Sequence, residues 1–236
     1  MNAALAAVEA LAGIVIAAVT GLDVVGTLVV TEGTAAAWRP ARVFYHWTWQ
    51  MWRALGMHLK PEQRRERWLS VYGPLSMLTL LLLWLVSLAI GWALIYMGLL
   101  GQLHGASDFL SLLYYSGSSL LTPSFGEVSG ATAPAGILTL VETVMGFGTI
   151  ALLISYLPVL YGAYNRREAR LLTLDDPSGE RITPGRVVTV HAPDGDAERL
   201  YQFFAEWELW TAEILESHVS YPMLAYFRSQ HPGQSW

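Results

Sequence analysis

Between residues 101 and 161 the chain carries three acids, Asp108, Glu127 and Glu142, and neither lysine nor arginine. A stretch with acids and no bases attracts cations and repels anions. Asp108–Leu121 is apolar but about half as long as a membrane crossing requires, so it reads as a re-entrant or core helix. Asp108 stands where it can cap that helix. A short helix ending inside a membrane points the negative end of its dipole at whatever follows. Here Thr122, Pro123, Ser124, Phe125, Gly126 and Glu127 follow. Backbone carbonyls of such a loop can replace the hydration shell of an ion. Glu127 adds a carboxylate at the end of that loop, the alternative being a solvated loop acid.

Other chemistries lack their residues. The chain has no cysteine, which removes disulfides, thiolate metal sites and thiol catalysis. It has no G-x-S-x-G, no phosphate-binding or dinucleotide-binding glycine loop and no calcium-loop spacing. The histidines show no ligand spacing. His104 is a lone loop residue, either solvated or a pH sensor. The expectation is therefore no enzyme, no cofactor and no bound metal centre. With 53% hydrophobic and 14% charged residues, a disordered chain and a nucleic-acid binder are excluded.

The elements that must hold the acidic segment are membrane spans. Three stretches have the required roughly 20 apolar residues: Ala3–Val30, about Val71–Leu100 and about Pro134–Tyr164. The first lacks a basic start and a cleavage site, so it reads as a retained helix. Glu9 and Asp23 lie within it and Glu142 within the third, and each needs protein or water to face. Glu142 is placed to brace the short helix from behind, through Ser118 or Ser119. All 14 basic residues fall in residues 31–70 and 165–236. The positive-inside rule puts both blocks in the cytoplasm. The expectation is a multi-pass protein of the cell (inner) membrane, with its N-terminus outside and its C-terminus cytoplasmic.

Residues 43–58 place Phe44, Trp47, Met51 and Leu55 at helical spacing and read as an amphipathic helix on the inner leaflet. Lys60–Arg67 is a basic linker suited to anionic lipid, and Trp68 and Tyr72 are expected to anchor the next span. The chain thus divides into an N-terminal span (1–32), a basic linker with an interfacial helix (33–70), a central domain (71–165) and a cytoplasmic tail (166–236).

Outer helix, short helix, Thr-x-x-aromatic-Gly-acid and inner helix, in that order, resemble the potassium-channel pore-loop superfamily over about residues 71–165. The family filter T-V-G-Y-G-D aligns with Thr122–Glu127. Tyr114-Tyr115-Ser116-Gly117 is similar to the family's pore helix, and Gly146-Phe147-Gly148-Thr149 to its glycine hinge. The resemblance implies an all-α membrane fold and a homotetramer around one pore. It implies a filter at Thr122, Pro123, Ser124, Phe125 and Gly126, a carboxylate ring at Glu127, and K+ or Na+ as permeant ions. Membrane lipids are the other partners, and no nucleic acid is expected. Gly146 and Gly148 serve either bending or close packing. Leu152, Leu153, Tyr156 and Leu157 are candidates for a hydrophobic gate, and Pro158 can kink the helix near it.

Two residues depart from the family. Ser124 replaces a glycine that takes a left-handed conformation, at a cost of roughly 1–2 kcal/mol. Pro123 fixes its own φ and pushes Thr122 toward extended geometry. Weakened potassium selectivity is the expected consequence. The alternative is a non-conducting membrane scaffold or sensor on the same body.

In the tail, Asp175–Gly179 is a turn cluster and Arg186–His191 alternates like a short strand. Asp196–Ser217 reads as a helix. Its Leu200, Phe203, Trp207, Trp210 and Ile214 form either a seam between helices or a core face. Tyr221-Pro222 ends or kinks it.

Overall fold

The computed structural model describes residues 3–30, 39–60, 62–99, 103–105, 108–121, 129–172, 183–191 and 195–229. The elements are α1 (Ala3–Leu28), α2 (Pro40–Met57), α3 (Glu62–Met97), β1 (Leu103–His104), α4 (Phe109–Leu121), β2 (Ser129–Gly130), α5 (Ala133–Leu172), α6 (Pro184–His191), α7 (Ala197–Ser220) and a 3-10 turn, Pro222–Tyr226. The fold is helical. Three helices, Ala4–Leu28, Arg64–Met97 and Ala133–Arg170, are long and apolar enough to cross a bilayer, the mark of an integral membrane protein. α3 starts at Glu62, ahead of its apolar run, because Glu62–Arg67 is rich in good helix formers. α3 and α5 continue as helices through Pro74 and Pro158. Arg186–His191, expected as a strand, is helical within α6. Pro184 at its first turn and Thr183, whose hydroxyl accepts from Arg186 N at 3.4 Å, supply a helix start that outweighs the β-branched alternation.

The chain forms two compact units, Met1–Thr48 with Leu75–Leu157, and Trp49–Pro74 with Pro158–Trp236. In the first, Leu88, Trp92, Ala93 and Tyr96 of α3 are the centre of a core completed by Ala17, Leu112, Tyr115, Leu120 and Ala135. α1 lies on α3 through small residues. A Cβ at Gly13 would strike the Gly91 carbonyl oxygen, and one at Gly98 would sit 3.0 Å from the Ala10 Cβ. Backbones that touch in this way gain dispersion contacts that lipid cannot match.

Asp23 is buried in α1 and fully used. Its carboxylate accepts from the Ala41 N–H at 3.0 Å and from Trp84 Nε1 at 2.8 Å. It therefore caps the positive N-terminal end of α2, where a negative charge is favoured. Arg39 reaches back to the Gly26 carbonyl of α1. Glu9 is half-buried on α1, with one carboxylate oxygen buried and without a hydrogen-bond partner.

In the second unit, Trp52 and Trp68 stack at 4.2 Å, each indole donating to the other's carbonyl. Trp68 is half-buried in this stack, and Tyr72 is buried 4.9 Å from the Trp49 ring. Asp196 caps α7 by accepting from Glu198 N and Arg199 N. The Leu200–Ile214 stripe is the less exposed face of α7, with Trp210 buried. Arg167 is buried, and its guanidinium donates to Ser217 Oγ and, at 3.4 Å, to the Ile214 carbonyl.

After α7 a short arm closes on α3 and α5. Phe227 fits against Gly73, where a Cβ would lie 2.8 Å from its ring, and contacts Tyr161 and Tyr164. Arg228 pairs with Glu66 at 3.1 Å, and Ser229 donates to Glu168 at 3.1 Å.

Candidate functional site

α4 is a 13-residue helix. At 1.5 Å per residue it is about 20 Å long, short of a roughly 30 Å hydrocarbon layer. Asp108 starts it as expected: its carboxylate accepts from Ser111 N at 3.1 Å, and its own N–H donates to Ser111 Oγ at 3.2 Å. One face of α4 is buried, carrying Leu112, Tyr115, Ser116, Ser119 and Leu120. The opposite face leaves Leu110, Tyr114 and Leu121 exposed.

The segment that contains α4 begins and ends at one place. β1 and β2 pair antiparallel, with Leu103 opposite Gly130 and His104 opposite Ser129. α4 therefore lies, along the chain, between two strands that are tied together.

What fastens α4 is a buried carboxyl. Glu142 of α5 is fully buried. It accepts from Tyr96 OH of α3 at 2.7 Å and from the Ser116 hydroxyl of α4. Thr139, one turn earlier on α5, joins the same network by accepting from Tyr96 OH at 3.4 Å, and it extends the network to the Tyr115 hydroxyl at 2.8 Å. The Tyr96 and Tyr115 rings lie 5.3 Å apart. Both carboxyl oxygens are thus engaged, which a buried acid requires, and three helices are joined at one side chain. The brace uses Ser116 rather than Ser118 or Ser119. Ser118 turns to the Tyr115 carbonyl, and Ser119 Oγ is buried without a hydrogen-bond partner.

The far end of α4 rests on Gly146. A Cβ there would collide with the Leu120 carbonyl oxygen and lie 2.7 Å from a Leu120 methyl. Gly146 is about 20 Å along α5 from Ala133, so α4 ends well inside the apolar run of α5. Close approach is the reason for glycine at this position. Gly148 has nothing within 4 Å of a Cβ.

The remaining sequence-derived positions are distributed as follows. Thr122, Pro123, Ser124, Phe125, Gly126 and Glu127 lie outside the described residues. Leu153 and Tyr156 are buried within the chain, with Leu152 and Leu157 half-buried beside them. The opposite strip of α5, with Ile137, Leu140, Val144, Phe147 and Ile154, is exposed. Among the described residues, no three His, Asp or Glu gather as a metal site. An apolar cleft of about 760 Å³, lined by Ala10, Ile14, Ala17, Trp92, Ile95 and Met145 among others, runs along α1, α3 and α5.

The sequence pointed to Glu142 but not to Tyr96, Ser116 and Thr139. The available signal was the need of an acid in an apolar run for hydroxyl partners. Comparison with protein families, characterised proteins and solved structures gives no match.

Proposed function

We propose that this chain is one subunit of a cation channel in which four copies surround a central path. The observation that carries the reading is α4: a half-length helix, tied at its entry by β1 and β2, held by Glu142, and ending against Gly146 inside the apolar run. Its C-terminal end is the negative end of its dipole and attracts a cation. The loop that follows, residues 122–126, supplies carbonyl oxygens to the ion, and Glu127 contributes a ring of carboxylates at the outer mouth. The basic residues keep the N-terminus outside and the C-terminus in the cytoplasm of the cell membrane.

The exposed faces of α4 and α5 are where copies meet and where the path below the filter is lined. A dewetting constriction then falls to Val144, Phe147 and Ile154, with Leu152 and Leu157 at its edge. Leu153 and Tyr156 support it from within the subunit. K+ and Na+ are the permeant ions. Pro123 and Ser124 weaken discrimination between them.

Recording from purified protein in planar bilayers tests this. In a KCl gradient the current is expected to reverse near the potassium equilibrium potential. With potassium opposite sodium it is expected to reverse near zero. Reversal near the chloride potential would overturn the reading. Absence of current under voltage, tension and pH steps would favour a non-conducting scaffold, the reading that Pro123-Ser124 also admits.

A further inference from the structure

α2 has three faces. Ala41, Tyr45 and Gly56 are buried, with Trp49 and Trp52 half-buried on the same side. Arg42, His46, Gln50 and Arg53 form an exposed polar strip. The third strip is apolar and exposed: Val43, Trp47, Met51 and Leu55, each four residues apart, are between 43% and 66% accessible. A helix with one face packed on protein and one face polar has no need of a third, apolar face in water.

The anchoring of α2 says what covers it. Its first turn is fastened to Asp23, through the Ala41 N–H. Asp23 lies five residues before the end of α1, or about 7–8 Å inside that helix. α2 therefore begins below the rim of the apolar layer that α1 occupies. It also connects two candidate spans, with Glu62 of α3 five residues after Met57. Charge agrees: residues 33–61 contain Arg39, Arg42, Arg53 and Lys60 and no acid, which suits the anionic surface of a leaflet.

We infer that α2 is a lipid-docking helix whose Val43–Trp47–Met51–Leu55 strip inserts among the acyl chains of one leaflet, its Arg42–Arg53 strip lying at the phospholipid headgroups. Asp23 sets the depth of insertion. The inference needs the membrane spans but not conduction, so it stands or falls separately from the channel reading.

The absence of cysteine makes the test direct. Single cysteines at Met51, Leu55, His46 and Gln50 are labelled with an environment-sensitive fluorophore. The full-length protein is reconstituted in vesicles of phosphatidylcholine and phosphatidylglycerol. Probes at 51 and 55 are expected to emit to the blue of those at 46 and 50. They are expected to be quenched by spin-labelled acyl chains and spared by iodide, with the reverse at 46 and 50. Iodide quenching at all four positions would overturn the proposal. So would protection of 51 and 55 from both quenchers with fluorophore self-quenching, since a second copy of the chain would then cover the strip.

Discussion

Glu142 and Asp23 each sit in an apolar helix, and each is satisfied by neutral donors: two hydroxyls for Glu142, a backbone N–H and an indole for Asp23. Leaving a buried donor unpaired costs about 1–3 kcal/mol. Glu142→Ala strands two hydroxyls and is expected to lower stability by about 2–5 kcal/mol in sum, with Glu142→Gln much milder because an acceptor oxygen remains. Thermal unfolding in detergent reads the difference. Equal losses for the two variants would mean that hydrogen bonding is not what fastens α4. Asp23→Ala is expected to cost about 1–3 kcal/mol by the same measurement, and Asp23→Asn less. That both acids need protein or water to face was legible from their places within apolar runs, since lipid is a poor neighbour for a carboxylate. Their partners were not, because Trp84 and Tyr96 are 61 and 46 residues away in the chain. Spacing along one helix carries no information at that distance.

At the scale of elements, two glycines two residues apart on α5 behave differently. Gly146 is pressed against the end of α4, whereas Gly148 is in open space. Gly146→Leu should displace α4 and destabilise the protein by at least about 1–3 kcal/mol. Gly148→Ala is expected to be neutral or to stabilise by about 0.5–1 kcal/mol, as glycine is a poor helix interior residue. Melting curves of the two variants, taken side by side, check this; a tolerated Gly146→Leu would contradict the seat assigned to α4. The three long helices were readable from their apolar runs, and α4 from its half length and its Asp108 cap. Helix ends were less so. Hydropathy stops where charge begins, but Glu62–Arg67 and Asn165–Arg170 go on forming helix, as their side chains favour it. α6 was misread because an eight-residue segment is too short for periodicity to separate strand from helix.

For the molecule as a whole, the tail is joined to the unit it belongs to by the arm after α7. Phe227 is buried against Gly73, Tyr161 and Tyr164. Phe227→Ala is expected to cost about 3–5 kcal/mol and to make the chain after α7 more susceptible to limited proteolysis. Nothing in the sequence marked this arm, since its few apolar residues follow a helix end and show no period. The claim on which the pore reading rests is that residues 105–128 enter and leave the membrane on one face. Single cysteines at His104, Ser129 and His46, in a chain otherwise free of cysteine, can be labelled in intact cells with a membrane-impermeant maleimide. Positions 104 and 129 are expected to react from the outside and position 46 only after the membrane is opened. Labelling of 104 and 129 from opposite faces would make α4 a crossing segment and contradict the account.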